Sequence, residues 1–311
     1  MSTEQSGSPT VAVVGSDNHG ITMTIDSIPV PGETVLGEDF TEGVGGKGSN
    51  QAIAASRLGA DASFVGRVGE DRYADRAFDL WDREGVDATA VTRTDGIHTG
   101  VGIVLVEDAG ENAIGVAPGA NGTLDAGDVR DAAGAVEAAD VVLTQLETEI
   151  EPVETTLSLA TAAGTSAILN PVPATELPPD LLEQADFLTP NRSEARLLTG
   201  VDPDADIEDI DLARDLVEMG ANVVVLTQGA DGALVVTASE VTSIPAPDIE
   251  VVDTTGAGDA FNAGFAVALA EGADPVEAAK FASLADGLAC TDYEVVPALP
   301  DRDAVELLTS T

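Results

Sequence analysis

The residues with the clearest chemical potential lie near the end of the chain, in the run VVDTTGAGD at 251–259. A Gly-Ala-Gly turn before a helix leaves backbone N–H groups unpaired at the helix N-terminus, where the peptide dipoles favour an anion. Asp259 lies in the first turn of the predicted helix, close enough to take a proton from a group that attacks the anion. The run therefore predicts a site that handles phosphate.

A second run, GGKGSNQA at 45–52, lies far upstream. Paired glycines let the backbone approach a ligand closely, while Lys47 and Asn50 offer fixed polar groups for sugar hydroxyls. For this run alone, a glycine loop needed only for strand-to-helix packing is the alternative. Taken together, the two runs favour an ATP-dependent kinase that acts on a small molecule.

Two other nucleotide motifs fit the glycine-rich run less well. Residues 43–48 match G-x-G-x-x-G, but they do not directly follow the first apolar strand, which ends at Gly15. The strand after them ends in Gly66-Arg67 and not in the acidic residue of a dinucleotide-binding fold, which disfavours an oxidoreductase. A P-loop is excluded because Gly48 follows Lys47 where Ser or Thr is required.

The charge of the chain is extreme. Its 311 residues include 56 acidic and 13 basic ones, for a net charge of −43, and Lys47 and Lys280 are the only lysines. A hydrophobic content of 44% argues for a folded protein and against an acidic disordered chain. The interpretation is a halophilic protein adapted to molar salt, where the Debye length shrinks to about 3 Å and surface repulsion is screened.

Composition also excludes several partners. The arginines are scattered, so no basic patch for nucleic acid is expected. Residues 1–9 lack a basic-then-apolar signal region, and no apolar run approaches the roughly 18–20 residues that span a bilayer. The single Cys290 cannot form an intrachain disulfide, and no Cys/His cluster suggests zinc. A soluble cytoplasmic protein without nucleic-acid or membrane partners is expected.

Hydrophobic patterning predicts two kinds of sheet. A wholly apolar run at 11–15 indicates a buried strand, and 62–65 indicates another. From about Asp125 short apolar runs alternate with helical stretches, which is typical of a parallel sheet covered by helices. Alternating runs indicate half-buried antiparallel strands that could form a small separate sheet; they lie at 21–28, 34–40, 99–106 and 112–116, the last two joined as a hairpin across 107–111. Helices are predicted at about 49–58, 256–270 and 275–289.

From Val11 to about Pro300 the chain resembles the ribokinase (PfkB) family of carbohydrate kinases. Both glycine-rich runs match family signatures, and four shorter segments resemble family segments in the same order: PGET at 31–34, GEN at 110–112, PGAN at 118–121 and QLE at 145–147. The resemblance implies one α/β domain over 1–311, with a doubly wound, mostly parallel sheet flanked by helices. It also implies a small β-sheet lid, from about 20–40 and 98–117, through which a homodimer often forms.

The resemblance implies a role for each matching residue. Asp259 would be the general base, and Gly256, Ala257 and Gly258 the anion hole for the transferring phosphoryl group. The other implied sites are the sugar contacts Asn18, Gly46, Lys47, Asn50 and Glu147; the Mg²⁺ and ATP-phosphate residues Asn191 and Glu194; the nucleotide turn with Thr227, Gly229 and Gly232; and the K⁺ loop with Asp253 and Thr255. A helix start after Pro190, capped by Asn191, is the alternative for the Asn191–Glu194 motif.

Two departures from the family pattern bear on substrate and cation. The family usually carries an aspartate, which grips the sugar diol, where this chain has Gly20. Ribose 1-phosphate or another ribose derivative therefore stands beside ribose as the expected substrate, phosphorylated by ATP at a primary hydroxyl. Glu294-Val295 replaces the usual Gly-Ala and puts K⁺ dependence in doubt. A nucleoside kinase, another sugar kinase of the family (acting on fructose or 2-keto-3-deoxygluconate) and a non-catalytic sugar or nucleotide sensor are the alternatives.

Overall fold

The structure is a computed structural model that describes residues 7–107 and 112–309. Positions 1–6 and most of the connection predicted at 107–111 lie outside the described residues. In chain order the strands are β1 (Thr10–Val14), β2 (Asn18–Ile25), β3 (Gly37–Gly45), β4 (Asp61–Gly69), β5 (Asp87–Thr94), β6 (Gly100–Glu107), β7 (Asn112–Ala117), β8 (Val141–Gln145), β9 (Ser166–Asn170), β10 (Phe187–Leu188), β11 (Val223–Thr227), β12 (Ala233–Val236) and β13 (Val241–Ile244).

The helices differ in length, and two short 3₁₀ turns at Gly119–Thr123 and Gly229–Asp231 accompany them. The α-helices are α1 (Lys47–Arg57), α2 (Arg72–Glu84), α3 (Ala126–Asp131), α4 (Ala133–Ala138), α5 (Ile150–Ala163), α6 (Pro179–Gln184), α7 (Arg192–Thr199), α8 (Asp209–Glu218), α9 (Ala257–Ala270), α10 (Pro275–Ala289), α11 (Val295–Ala298) and α12 (Arg302–Thr309). Across the described ranges, no helix combines the length and apolar character needed to cross a bilayer.

The large sheet has nine strands in the order β13-β12-β11-β10-β9-β8-β1-β4-β5. The seven from β11 to β5 run parallel, which confirms the predicted parallel sheet. The hairpin β12–β13 adds two antiparallel strands at one edge. That hairpin, together with α2 and β5, was not predicted.

Both faces of the large sheet are buried. Val11 and Val13 of β1 pack into the core under α1, α2, α9 and α10, whereas Ala12 and Val14 face the opposite core under α3 to α8. Because the central strands bury both faces, they read in the sequence as continuous apolar runs instead of alternating ones. The predicted doubly wound arrangement is confirmed.

The small sheet has the order β3-β2-β6-β7 and forms the predicted lid. Its outer pairs are antiparallel, but β2 and β6 run parallel, so the expectation of antiparallel strands fails for the central pair. The strand predicted at 34–40 lies at Gly37–Gly45 instead, because pairing with β2 continues through the glycines. The end of β3 thereby delivers Gly46 and the start of α1 directly to the site described next.

Candidate active site

Asp259, in the first turn of α9, is held by two side chains from α1. Its Oδ2 accepts a hydrogen bond from Asn50 Nδ2 at 2.8 Å, and its Oδ1 accepts one from Gln51 Nε2 at 3.0 Å. Only 6% of Asp259 is exposed, yet it lines a cavity of about 240 Å³. Burial raises the pKa of this carboxyl, and the charge of Lys47 and the two amide donors oppose the rise. The carboxylate is thus fixed in orientation and open to the cavity.

Behind Asp259 a chain of amides and hydroxyls fixes Gln51. Gln51 Oε1 accepts from Gln145 Nε2 at 2.6 Å, and Gln51 Nε2 also donates to Asn170 Oδ1 at 3.1 Å. Asn170 Nδ2 donates in turn to the Thr189 carbonyl at 3.0 Å. Asn170 ends β9 and Thr189 follows β10, so both lie at the carboxyl ends of parallel strands, the edge where open α/β sheets bind ligands.

The same network reaches the start of α9. Thr189 Oγ1 donates to Asn262 Oδ1 at 2.6 Å, and Asn262 Nδ2 donates to the Gly258 carbonyl at 2.8 Å. The position of the Gly258 peptide is therefore coupled to that of Asp259 through side chains from four elements.

Some backbone N–H groups at the start of α9 donate hydrogen bonds within the protein, and others do not. The N–H groups of Gly256 and Gly258 have no hydrogen-bond partner among the described residues. Ala257 N donates to the Thr254 carbonyl over a long 3.3 Å, and Asp259 N donates to the Gly256 carbonyl at 3.0 Å. Two of the three predicted anion-hole amides are thus free, and the third is weakly engaged.

Position 256 requires glycine for two reasons, its positive φ and the lack of space for a side chain. Its φ is 86°, and a Cβ there would meet Val295 Cγ1 at 2.6 Å. Neighbouring Glu294 has a φ of 65°, which makes it the one non-glycine residue with positive φ in the described ranges. Glu294 therefore keeps a backbone that glycine adopts more easily. At the departure from the family pattern at 294–295, the side chain that faces Gly256 is Val295.

On the lid side, Glu147 accepts hydrogen bonds from two predicted sugar-site residues and from Ser16, which was not predicted. Its Oε2 accepts hydrogen bonds from Ser16 Oγ at 2.5 Å, Asn18 Nδ2 at 3.3 Å and the Lys47 backbone amide at 3.0 Å. Asn18 Oδ1 also accepts from Asn121 Nδ2 at 3.0 Å. The strand β2 and the helix α1 are tied together at this point.

Close backbone approach explains the glycines of this turn. A Cβ on Gly46, whose φ is 87°, would lie 2.6 Å from Asn18 N, and one on Gly48 would lie 2.7 Å from Ser16 N. The packing interpretation of the glycine-rich run is therefore correct for these two residues. It does not account for Asn50 Oδ1, which is buried without a hydrogen-bond partner among the described residues.

The cavity of about 240 Å³ that Asp259 lines is called the catalytic cavity, and Lys47 is the one cationic side chain among the described residues of its lining. Burial alone lowers the pKa of its ammonium group, but the carboxylates of Asp259, Glu147 and Glu194 outweigh that effect and raise it. The ammonium is therefore charged, and it lines the same cavity as Asp259, Gly256 and Gly258.

The predicted Mg²⁺ and phosphate motif forms a capping box. Asn191 caps α7 by accepting from Glu194 N at 2.9 Å, and both carboxylate oxygens of Glu194 accept from Asn191 at 2.8 Å. The helix-cap alternative is thus correct as structure, and both residues also line the catalytic cavity. Burial raises the pKa of Glu194, opposed by the Asn191 amide and by Lys47.

A second cavity of about 210 Å³ holds the predicted nucleotide turn. Gly229 and Gly232 line it, and Thr227 lines both cavities, as do Asn191 and Gly258. The two cavities therefore meet at the start of α9.

Hydrogen bonds within the predicted K⁺ loop and to the Cys290 carbonyl order its backbone. Asp253 Oδ1 accepts from Thr255 N at 2.9 Å and from Thr255 Oγ1 at 2.7 Å, and the backbone amides of Val252 and Asp253 donate to the Cys290 carbonyl. Within the described ranges, no cluster of three or more His, Cys, Asp or Glu side chains could hold a metal ion.

Comparison with known proteins decides the family. The model of the pfkB family carbohydrate kinases matches residues 8–302. The chain belongs to this family. Its relatives include ribokinases from Bacillus subtilis, 36% identical over 301 residues (96% of this chain, 99% of the relative), and Haemophilus influenzae, 34% identical over 293 residues (94% and 96%). The structure of Arabidopsis thaliana ribokinase complexed with ribose and ATP superposes with a TM-score of 0.91, at 31% identity, covering 98% of this chain and all of that one.

Several residues of this carbohydrate-kinase site were not predicted. Gln51, Asn170, Thr189 and Asn262 carry the network behind Asp259. Gln51 could have been found, because it lies four residues after Lys47, which places the two side chains on the same face of a helix. Asn170 and Thr189 could have been found as polar residues that directly follow buried strands. Asp286 and Ser283, which line the second cavity, had no such signal.

Proposed function

We propose that this protein transfers the γ-phosphoryl group of ATP to a primary hydroxyl of ribose or of a ribose derivative such as ribose 1-phosphate. The observation that carries the proposal is the start of α9, where a fixed, buried carboxylate lies beside two unpaired backbone amides at one cavity. Phosphoryl transfer needs alignment and charge stabilisation more than covalent chemistry, and this geometry supplies both. The family membership and the ribokinase relatives support the same reaction.

Each group has one task in the proposed reaction. Asp259 takes the proton of the sugar hydroxyl while the hydroxyl oxygen forms a bond to the γ-phosphorus of ATP. The bond between that phosphorus and the β–γ bridging oxygen breaks, and ADP is released. The amides of Gly256 and Gly258, with Ala257, stabilise the negative charge on the phosphoryl oxygens. Lys47 neutralises further charge in the cavity. Asn50 orients the Asp259 carboxylate through its Nδ2.

The sugar lies on the lid side in this proposal. Asn18, Gly46, Lys47, Asn50 and Glu147 form its site. On the lid face that carries Asn18, three glycines lie side by side, because Gly20 of β2 pairs with Gly43 of β3 and with Gly102 of β6. No side chain of the described residues covers this row. A Cβ on Gly20 would meet only the Gly43 carbonyl oxygen, at 3.7 Å. The open row supports a substrate with a substituent beyond that of free ribose.

ATP extends from the start of α9 into the second cavity, along Thr227, Gly229 and Gly232. The unpaired amides fit phosphate, and local donors are essential because a net charge of −43 repels ATP at long range. Mg²⁺ fits beside the phosphates near Asn191 and Glu194, where it would neutralise phosphate charge. Because Asn191 already holds both Glu194 oxygens, these residues act on the phosphates or on water around the ion. The reaction is proposed to take place in the cytoplasm, where ATP is available.

K⁺ is proposed to bind at the loop of Asp253 and Thr255. Asp253 Oδ1 accepts from Thr255 twice, which orders the loop and leaves Oδ2 without a partner among the described residues. An oxygen ligand of this kind fits a monovalent cation. The loop leads directly into Gly256, so an ion there would stabilise the turn that carries the anion hole.

A homodimer through the lid is the proposed assembly. Met23 and Phe40 are paired across β2 and β3, and Ile103 of β6 lies on the same face of the sheet. These side chains are 36%, 59% and 49% exposed. Replacing Phe40 with Asp should shift the mass measured by light scattering toward the monomer, whereas Leu307→Asp, at an exposed site on α12, should not. An unchanged mass in Phe40→Asp would remove the lid from the interface.

The decisive experiment is a coupled ATP-consumption assay in multimolar KCl with ribose, ribose 1-phosphate, deoxyribose, fructose, 2-keto-3-deoxygluconate and nucleosides. Asp259→Asn keeps the shape of the side chain and removes the base, so turnover should fall by about 10²–10⁴-fold. ATP binding, measured by calorimetry, should persist. Near-normal turnover in Asp259→Asn would remove this residue from the reaction, and no product from any acceptor would overturn the proposed function.

A further inference from the structure

The second cavity has one end that the catalytic cavity does not share. Asn191, Thr227 and Gly258 line both cavities and mark the junction. The unshared end is lined by Gly229, Gly232, Ala246, Pro247, Phe261, Ser283 and Asp286. If phosphates lie at the junction, as the proposed function requires, the nucleoside part of the phosphoryl donor extends into this unshared end.

Asp286 is the one ionisable side chain in the lining of the second cavity. It makes no hydrogen bond or ion pair with any residue in the described ranges. Its carboxylate oxygens are not fully buried. The carboxylate therefore faces the space of the cavity. Burial raises its pKa to about 6, so it is ionised at neutral pH.

The backbone around Asp286 is rigidly placed. A Cβ on the next residue, Gly287, would lie 2.4 Å from Pro247 Cγ, so α10 is pressed against the segment that follows β13. A Cβ on Gly232 would lie 2.6 Å from Ala246 N. Helix α10, the nucleotide turn, the Ala246-Pro247 segment and Phe261 of α9 thus enclose one slot, with mostly apolar walls and a carboxylate.

A partly desolvated carboxylate in a site for a polyanion is unfavourable unless it meets a hydrogen-bond donor. A nucleoside triphosphate offers donors on its ribose and on its base. The small, apolar surfaces of Gly232, Ala246 and Pro247 fit the flat face of a base. The donor expected opposite Asp286 is therefore the edge of the base.

We propose that Asp286 determines the base specificity of the phosphoryl donor by accepting a hydrogen bond from an amino group of a purine. Adenine presents its 6-amino group, and guanine presents its 2-amino group beside N1–H. The inference rests on the proposed function, because it needs a nucleoside triphosphate in this cavity.

The experiment deletes the donor from the ligand and the acceptor from the protein. Values of kcat/KM are measured for two pairs of donors, ATP against purine riboside triphosphate and GTP against inosine triphosphate, each pair differing by one amino group. In the unsubstituted protein, loss of the amino group should reduce kcat/KM by about tenfold or more in at least one pair. In Asp286→Ala the same loss should change it less than about twofold.

Two further variants keep the test sharp. Asp286→Asn preserves shape, so it serves if Asp286→Ala does not fold, and it should weaken the discrimination because its amide both donates and accepts. Glu277→Gln removes one charge from the exposed face of the same helix and should leave every ratio unchanged.

The outcomes separate the two proposals. Equal ratios in Asp286→Ala and in the unsubstituted protein overturn this inference while leaving the kinase intact. A uniform change for all four donors also overturns it, because the carboxylate then acts on ribose or on the phosphates. Absence of phosphorylation with every donor, at every acceptor tested, contradicts the proposed function itself.

Discussion

Gln51 donates through Nε2 to Asp259 Oδ1 over 3.0 Å and joins the starts of α1 and α9 across 208 positions of sequence. The same nitrogen donates to Asn170, and Gln51 Oε1 accepts from Gln145, so the amide is held on three sides. Gln51 is fully buried and does not line the catalytic cavity. It is therefore a positioning residue that sets the direction of the carboxylate.

Replacing Gln51 with Leu removes one donor from the Asp259 carboxylate. Hydrogen bonds to charged groups contribute about 1.5–3 kcal/mol, so kcat should fall by roughly 10- to 150-fold with a smaller change in KM. The acidic limb of the kcat profile should move to higher pH, since this hydrogen bond lowers the pKa of Asp259. Gln145→Leu, which leaves the direct donor in place, is the control. An equal shift of the limb in both variants would show that general disruption is the cause.

Lys47 and Lys280 allow a matched comparison, because they are the only lysines of the chain. Burial raises the pKa of Asp259 and the charge of Lys47 opposes it, so Lys47→Met should leave the burial effect unopposed. The acidic limb of kcat/KM should then move to higher pH, and activity should be lost as the pH falls through the new pKa. Lys280 pairs with Glu277 at an exposed site, and Lys280→Met should leave the profile in place. A limb that does not move in Lys47→Met would contradict the coupling.

Gly20→Asp restores the carboxylate that the family usually carries on this face of the lid. Gly20 has no positive φ, and only the Gly43 carbonyl lies near its Cβ position, so the strand should accept the change. For free ribose, kcat/KM should rise by about tenfold or more through a charge-assisted hydrogen bond, and for ribose 1-phosphate it should fall through repulsion. Gly20→Asn, which adds bulk without charge, should not lower activity toward the phosphorylated sugar as far. Parallel changes for both sugars would show that Gly20 does not set the preference.

The sequence predicted the central fold because its signals are local. Buried strands read as continuous apolar runs, and α9 and α10 are Ala-rich stretches bounded by turn residues. The unpredicted α2 has equally local signals, since Asp71 caps its start and Gly85 ends it with a φ of 74°. The edge hairpin had weaker ones, because its two strands have four residues each.

The site was predictable where residue type and spacing coincide, as at Asp259 and Lys47. Asp286 could not be predicted, because nothing in the sequence distinguishes it from the other acidic residues, of which the chain has 56 in all. Its placement depends on contact between α10 and the segment after β13, a long-range packing relationship. The free or occupied state of each α9 amide likewise depends on the exact turn geometry.

Salt should act on stability and on turnover through separate routes. Screening of a net charge of −43 depends on ionic strength alone, so the melting temperature should rise with KCl and with choline chloride alike. An ion bound by Asp253 and Thr255 should raise turnover with KCl only. A melting temperature that is unchanged in dilute buffer would contradict the halophilic interpretation, and equal turnover in the two salts would contradict the K⁺ site.

Asp17 should make stability depend on pH. It is 2% exposed, its Oδ1 has no partner, and burial raises its pKa to about 8, with Asp71 and Glu147 adding to the rise and Ser49 opposing it. The folded protein therefore holds this proton up to about pH 8, whereas an unfolded chain releases it near the ordinary value of 3.8. Its contribution to stability is fully present below 3.8 and is lost as the pH rises through about 8.

Asp17→Asn removes the ionisation and keeps the shape of the side chain. Relative to the unsubstituted protein, its melting temperature should be nearly equal at about pH 4 and higher at about pH 9, by roughly 2–4 °C for each kcal/mol regained. Asp95→Asn, at an exposed site, should give no such pH-dependent difference. A gain in Asp17→Asn that is the same at every pH would come from packing or hydrogen bonding, and Asp17 would then not be the buried group that titrates.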